Sequence, residues 1–209
     1  MYKAFLKRFL DIVLSLCGII VLSPVFLIIA ATIVIDDPGP IFFKQKRVGK
    51  NNKLFKILKF RSMKMSTPHD TPTHMLENSQ QYITKVGKFL RKTSLDELPQ
   101  ILNILVGQMS IIGPRPALWN QYDLIKERDK YGVNNIRPGL SGWAQINGRD
   151  ALEIADKARF DGIYVDKLSF VMDCRCFIGT IKSVLKREGV VEGGTGELKK
   201  EAQKEAVNI

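Results

Sequence analysis

The sequence predicts an α+β chain: a mainly helical single domain with a small β-hairpin, preceded by an N-terminal kinked helix that enters a membrane. Three observations carry this. Ile12 to Ile35 holds no charged residue, and in helical form the run matches a hydrocarbon core of about 30 Å. Two stretches rich in Phe, Ile and Val flank Gly49-Lys50-Asn51-Asn52-Lys53, the arrangement of a hairpin. Further along, Leu98, Ile101, Leu102, Ile104 and Leu105 recur at helical spacing. With 209 residues and no internal repeat, the chain forms one domain with a real core.

The N-terminal helix has two features that a plain span lacks. Ser23-Pro24 falls at its middle, where the proline removes a backbone donor and crowds the turn at Ile20, so a kink is expected and each half becomes too short to cross alone. Basic residues lie on both sides: Lys3, Lys7 and Arg8 before it, Lys44, Lys46, Arg47, Lys50 and Lys53 after it. Positive charge marks the cytoplasmic side, so a broken helix that enters and leaves by one leaflet accounts for both ends. A kinked spanning helix is the alternative. A cleavable signal peptide fits poorly, since the apolar run is too long and no Ala-x-Ala site follows.

Asp36-Asp37-Pro38-Gly39-Pro40 reads as a sharp exit turn, followed by hairpin strands over Ile41 to Val48 and Leu54 to Met63. Lys59 and Arg61 alternate with Phe60, so they share a face that can meet a phosphate or simply be solvated. Ser66 to Gln81, with both histidines, reads as a loop. Lys85 to Lys92 is a basic lead-in containing Arg91.

The richest stretch is Ser94 to Pro116. Ser94-Leu95-Asp96-Glu97 has the spacing of a capping box, yet Pro99 prefers to open a helix, which leaves Asp96 and Glu97 on the turn leading in. Adjacent side chains diverge there, so the two carboxylates are expected to serve different roles. The helix ends at Gly107, and Gly113-Pro114-Arg115-Pro116 forms a rigid turn around one Arg. Ala117 to Tyr131 reads as an amphipathic helix with Leu118, Tyr122 and Ile125 on one side. Arg137-Pro138-Gly139 to Gly148-Arg149 is a Gly-rich loop in which backbone can approach a ligand and Arg can fork onto phosphate; structural pairing of those Arg residues is the alternative. Asp150 is placed to cap a helix through Phe160, and a mixed apolar and basic helix follows from Phe170 to Arg187. Asp161, Tyr164 and Asp173 belong either to the site or to structural pairing around that last helix. Boundaries follow at 1–36 for the anchor, 37–187 for the domain and 188–209 for a polar tail.

Against 21 acidic residues stand 32 basic ones, a net charge of +11 that favours anionic partners: nucleic acid, anionic lipid or phosphorylated substrates. Cys17, Cys174 and Cys176 show no metal or disulfide spacing, and His69 and His74 are the only histidines. No P-loop and no Gly-x-Ser-x-Gly is present. A membrane segment, a carboxylate pair and Arg residues in rigid turns point to phosphate chemistry at a membrane. There a carboxylate either holds Mg²⁺ against a diphosphate or attacks phosphorus, and Arg balances the developing charge.

These stretches jointly resemble the bacterial sugar transferases, small monotopic phosphoglycosyl transferases acting on polyprenol phosphate. The matching residues are Lys7-Arg8, Asp11, Ser23-Pro24, Phe55-Lys56, Lys59 to Met63, Ser94 to Gln100, Met109-Ser110, Gly113 to Pro116, Arg137 to Gly139 and Gly148-Arg149. The resemblance implies a UDP-sugar:polyprenol-phosphate sugar-1-phosphate transferase, dependent on Mg²⁺. The residue matching Asp96 would attack the sugar-bearing phosphate of a UDP-sugar, release UMP and pass the phosphosugar to polyprenol (undecaprenyl) phosphate. It also implies that Asp96 touches Mg²⁺, that Glu97 assists the acceptor phosphate, that Lys59, Arg91, Arg115 and Arg149 are phosphate-side cations, and that Ser23-Pro24 is the re-entrant break. Arg137 joins the expected substrate-binding set. The implied location is the bacterial inner (cell) membrane with the domain facing the cytoplasm, in contact with membrane lipid and not with nucleic acid; a homodimer is left open. One departure is visible, since Gln108 stands where an acid commonly precedes Met-Ser. Two other readings compete: a Mg²⁺-dependent phosphohydrolase acting on a lipid diphosphate, and a membrane-bound module that binds anionic lipid or nucleic acid.

Overall fold

The computed structural model describes residues 2–67, 79–148 and 152–186. His69, His74, Arg149, Asp150 and the stretch 188–209 lie outside them. The described residues are mainly helical, with two small two-stranded sheets.

Helix α1 (Lys7–Asp36) runs for 30 residues, about 45 Å at 1.5 Å per residue. Its helical assignment continues through Pro24, so the expected break is not an interruption of the helix. Pro24 leaves the Ile20 carbonyl without its usual amide donor. The Ser23 hydroxyl donates to that same carbonyl at 2.8 Å, which repairs the defect from the neighbouring position. One side of α1 is docked and the other is bare. Asp11, Ser15, Ile29 and Ile33 are buried, and Gly18 lets Ile101 approach so closely that an added Cβ would sit 2.6 Å from its Cδ1. Leu14, Ile20, Val21, Leu27, Ile28 and Ile35 are exposed apolar side chains.

Strands β1 (Phe42–Val48) and β2 (Leu54–Phe60) form the expected antiparallel hairpin, in register from Phe42↔Phe60 to Val48↔Leu54. Its loop turns through Asn51 and Asn52, both at positive φ, a conformation Asn tolerates better than most residues. Helix α2 (Lys85–Thr93) begins at Thr84, whose hydroxyl accepts from the Gly87 amide. It ends at Ser94, which adopts φ 57° and donates its own amide back to Arg91. The capping box therefore does not form: Ser94 closes α2 and its side chain makes no cap bond to the next turn.

Helix α3 (Gln100–Leu105) starts after Pro99, as the proline predicts, and the chain reverses at Gly107 with φ +87°. Short strands β3 (Ser110–Ile112) and β4 (Gly139–Ser141) pair in parallel. Between them lies α4 (Tyr122–Asp129); beyond them are α5 (Trp143–Ile146), α6 (Ile154–Asp166) and α7 (Phe170–Lys186). Two expectations change here. Tyr122 opens α4 and is exposed while Leu118 bridges to Arg47 outside the helix, so the apolar side is carried by Leu124 and Ile125 instead. Helix α6 is capped at Glu153 and runs on to Asp166 rather than ending at Phe160.

The core has no single centre. Ile29 and Ile33 of α1 meet Phe60 and Leu90, with Leu95 and Leu98 packed against them. Ile57, Ile104 and Met109 join the hairpin to α3, and Ile112, Tyr164, Met172 and Cys176 join β3 to the last two helices.

Candidate active site

Asp96 and Glu97 occupy a single 3-10 turn, Leu95–Glu97, between the end of α2 and the start of α3. Leu95 and Leu98 bracket the pair and pack onto the Ile29–Ile33 face of α1, so the acidic turn rests on the apolar helix. The two carboxylates have different surroundings. Glu97 accepts from Lys59 Nζ at 2.8 Å and from both Arg115 Nη atoms, at 3.1 Å for the Nη1–Oε2 bond. Burial alone would raise its pKa, but the Arg115 and Lys59 charges outweigh this and hold it well below the usual carboxylate range. Asp96 is buried and makes no hydrogen bond or ion pair to a described residue. Burial raises its pKa, with Glu97 adding to the shift and Lys59, Arg91 and Arg115 opposing it.

Lys59 reaches the pair because β2 runs past the turn, and Arg115 because the Gly113-to-Pro116 segment follows β3. Arg91 of α2 donates from Nε to Ser62 Oγ at 2.9 Å, and its charge acts on Asp96. Three of the expected cations thus gather at the acidic turn. Arg137 does not: its Nε donates to the Gly107 carbonyl at 2.9 Å, at the far end of α3. There Arg8 donates to the Ile104 and Leu105 carbonyls, so the two cations cap the negative end of the helix. Arg61 likewise turns away from the acidic pair. It is buried and binds the Asp37 carboxylate and carbonyl, holding the exit of α1.

The glycines expected to admit a ligand admit backbone instead. A Cβ on Gly139 or Gly142 would lie 2.1 Å from Gly113 backbone atoms, so these glycines allow the β4 segment to lie against the Gly-Pro-Arg-Pro turn and fix Arg115. Asp161 forms a buried pair with Arg128, and Asp173 accepts from Tyr164, Lys7 and Tyr2. Asp161, Tyr164 and Asp173 thus each have a protein partner.

Two residues near the site were not singled out from sequence. Asn103 inserts its amide at β2, accepting from the Leu58 amide and donating to the Lys56 carbonyl, each at 2.9 Å. It also donates to Gln108 Oε1 at 2.7 Å, so Gln108 still supplies an acceptor where an acid is common. Arg47 is the second. Burial and the nearby Arg115 push it down to about 10, and it bonds only neutral oxygens, of Pro116 and Gln45. A buried, slightly irregular strand residue gives little sequence signal beyond its charge.

Among the described residues no group of three His, Cys, Asp or Glu side chains is placed to hold a metal. Mg²⁺ does not require one, since it commonly takes one or two carboxylates and completes its shell with phosphate and water. Asp96, with no hydrogen-bond partner among the described residues, fits as that single carboxylate; Glu97, already neutralised by two cations, fits poorly.

The family model described as bacterial sugar transferase matches residues 2–187. An uncharacterised sugar transferase of Bacillus subtilis is 37% identical over 185 residues, covering 88% of this chain and 90% of that protein. A UDP-glucose:undecaprenyl-phosphate glucose-1-phosphate transferase of Escherichia coli is 42% identical, covering 84% of this chain and 39% of that protein. A UDP-N-acetylgalactosamine-undecaprenyl-phosphate N-acetylgalactosaminephosphotransferase of Aeromonas hydrophila is 40% identical, covering 87% and 44%. The chain thus spans nearly all of the first relative and less than half of the other two.

Proposed function

Because the chain belongs to the bacterial sugar transferase family, we propose that it transfers a sugar-1-phosphate from a UDP-sugar to undecaprenyl phosphate, with Asp96 as the nucleophile. The observation that carries the residue assignment is the division of labour in the acidic turn: Glu97 is clamped by Lys59 and Arg115, and Asp96 beside it has no hydrogen-bond partner among the described residues. The activity itself is proposed from that of the Escherichia coli and Aeromonas hydrophila relatives.

In the first step a carboxylate oxygen of Asp96 attacks the sugar-bearing phosphorus. The bond from that phosphorus to the bridging oxygen breaks, UMP leaves with the electron pair, and an aspartyl phosphosugar remains. In the second step an oxygen of undecaprenyl phosphate attacks the same phosphorus, the aspartyl bond breaks, and the Asp96 carboxylate is restored. Lys59, Arg91 and Arg115 surround the phosphorus with positive charge and stabilise the oxygens on which charge builds. Mg²⁺, when bound by Asp96, supplies charge neutralisation at the diphosphate. Glu97 holds Lys59 and Arg115 in place, so it orders the cations that meet the acceptor phosphate.

A monotopic anchor supports this reading. The N-terminal half of α1 docks through Asp11, whose Oδ1 accepts from Ser110 Oγ and the Ile111 amide at 3.0 Å each, and the C-terminal half docks through Ile29 and Ile33. A helix crossing a bilayer would carry one end away from the domain. With both halves on the same domain, the exposed apolar side is the part that meets lipid.

The experiment measures UMP release from a panel of UDP-sugars by the detergent-solubilised protein, with and without undecaprenyl phosphate and Mg²⁺, for wild type and Asp96→Asn. A lipid-linked sugar diphosphate from wild type alone supports the reading. Full turnover by Asp96→Asn removes the nucleophile, and absence of UMP with every donor removes the transferase.

A further inference from the structure

A cleft of about 150 Å³ is lined by Arg47, Arg115, Arg128, Lys157 and Gln145 among others. Two of its side chains are incomplete in a way that suggests what it holds. Arg47 donates only to neutral oxygens, has no carboxylate partner among the described residues, and leaves its buried Nε unbonded. Arg128 is different, since Asp161 already neutralises it. A buried guanidinium without a counter-ion is costly unless an anion joins it. Gln145 is the second: both its amide nitrogen and its amide oxygen are buried, and neither has a hydrogen-bond partner among the described residues. Unmade buried bonds are costly, so an amide held this way suits a ligand that offers a donor and an acceptor side by side.

We propose that this cleft holds the nucleoside-phosphate half of the donor, with a phosphate against Arg47 and Arg115 and the donor–acceptor edge of the pyrimidine base on the Gln145 amide. The inference rests on the transferase reading for the identity of the nucleotide. Arg115 links the two places, since it bonds Glu97 of the acidic turn and also lines the cleft. The same amide chemistry occurs in the acetamido group of an N-acetylated sugar, and the experiment separates the two sources.

Full-length protein in detergent micelles is titrated calorimetrically with UMP, with inorganic diphosphate, and with UDP-glucose and UDP-N-acetylglucosamine. Gln145→Met keeps the length of the side chain and removes the amide; it should weaken UMP about tenfold, leave inorganic diphosphate unchanged, and not lower the unfolding midpoint, because the amide makes no bond to a described residue. Arg47→Met should weaken UMP and diphosphate alike, by about 10- to 100-fold. The base assignment is overturned if Gln145→Met binds UMP as wild type does, and equally if it alters only the N-acetylated donor. The cleft is overturned if both variants bind every ligand as wild type does. A protein that makes lipid-linked product yet gives that null titration loses the cleft and keeps the transferase reading. One that yields no product from any donor loses the transferase reading, while the UMP titrations still decide the cleft.

Discussion

Asp11→Ala tests the docking of α1 onto the domain. The Asp11 carboxylate is buried, and its Oδ1 accepts from Ser110 Oγ and from the Ile111 amide, each at 3.0 Å. Alanine removes the acceptor and leaves both donors buried. Hydrogen bonds to a charged group are worth roughly 1.5–3 kcal/mol each, so the loss is about 3–6 kcal/mol. For a chain of this size each kcal/mol moves the midpoint by roughly 2–4 °C, which predicts a fall of about 10 °C in a thermal melt of the micellar protein. Asp11→Asn keeps an oxygen acceptor and should recover more than half of that. Ser110→Ala combined with Asp11→Ala should show a coupling of about 1–2 kcal/mol, because the two side chains share one bond. An Asp11→Ala midpoint within about 1 °C of wild type, or a coupling near zero, would refute the docking and with it the case for both halves of α1 lying on the same domain.

Glu97→Gln removes the charge that raises Asp96 and frees Lys59 and Arg115 to act on it, so both changes lower the Asp96 pKa. Since attack needs the ionised carboxylate, the acid limb of UMP release, which burial of Asp96 raises in wild type, should move to lower pH; a shift to higher pH contradicts the assignment. Glu97 itself is depressed on folding, so its stabilisation is present above the unfolded value of about 4.3 and fades as pH falls through the lower folded value. The stability gap between wild type and Glu97→Gln should therefore narrow in acid melts. Gly139→Ala sets a Cβ 2.1 Å from the Gly113 nitrogen, and since backbone must move, loss of at least about 3 kcal/mol is expected, read as rapid limited proteolysis. Ser23→Ala strips the last donor from the Ile20 carbonyl and should cost about 1 kcal/mol in the melt, whereas adding Pro24→Ala restores an amide donor to the same carbonyl and should reverse the loss.

Where local chemistry decides structure, the residues were legible. Pro99 opens α3, Gly107 ends the segment, and Asn51-Asn52 turn the hairpin, each for a reason contained in its own backbone preference. The acidic pair was legible for the same reason, as a turn squeezed between a helix end and a proline. What the sequence could not convey was which partner a charged side chain would find. Lys59 and Arg61 lie two apart with similar neighbours, yet the first meets Glu97 and the second meets Asp37, because β2 ends at Phe60 and the chain turns toward the exit of α1. Arg137 sits in a glycine-rich stretch that suits phosphate, but a helix end with unsatisfied carbonyls lies within its reach. The parallel pairing of β3 with β4 was hidden for another reason: strands of three residues carry no period to read, and their partners are far apart in sequence.

The polar residues of α1 acquire a purpose from this geometry. Asp11, Ser15 and Gly18 recur at helical spacing on the docked side, and each solves a contact with the domain: a carboxylate for two donors, a hydroxyl returned to its own helix, and a missing side chain for Ile101. Ile29 and Ile33 then continue the docked side to Leu95 and Leu98, the two leucines that bracket the acidic pair. In the proposed reading α1 is a wall of the site as well as a membrane anchor, and side-chain packing sets the height of Asp96 relative to the lipid. An acceptor whose phosphate is confined to the headgroup level can be met only by a nucleophile held at that level, and rigid packing supplies this placement at a lower entropic cost than a flexible linker would. Changes that loosen Leu95 or Leu98 from α1 should accordingly impair transfer to the lipid more than release of UMP, because only the second step depends on that height.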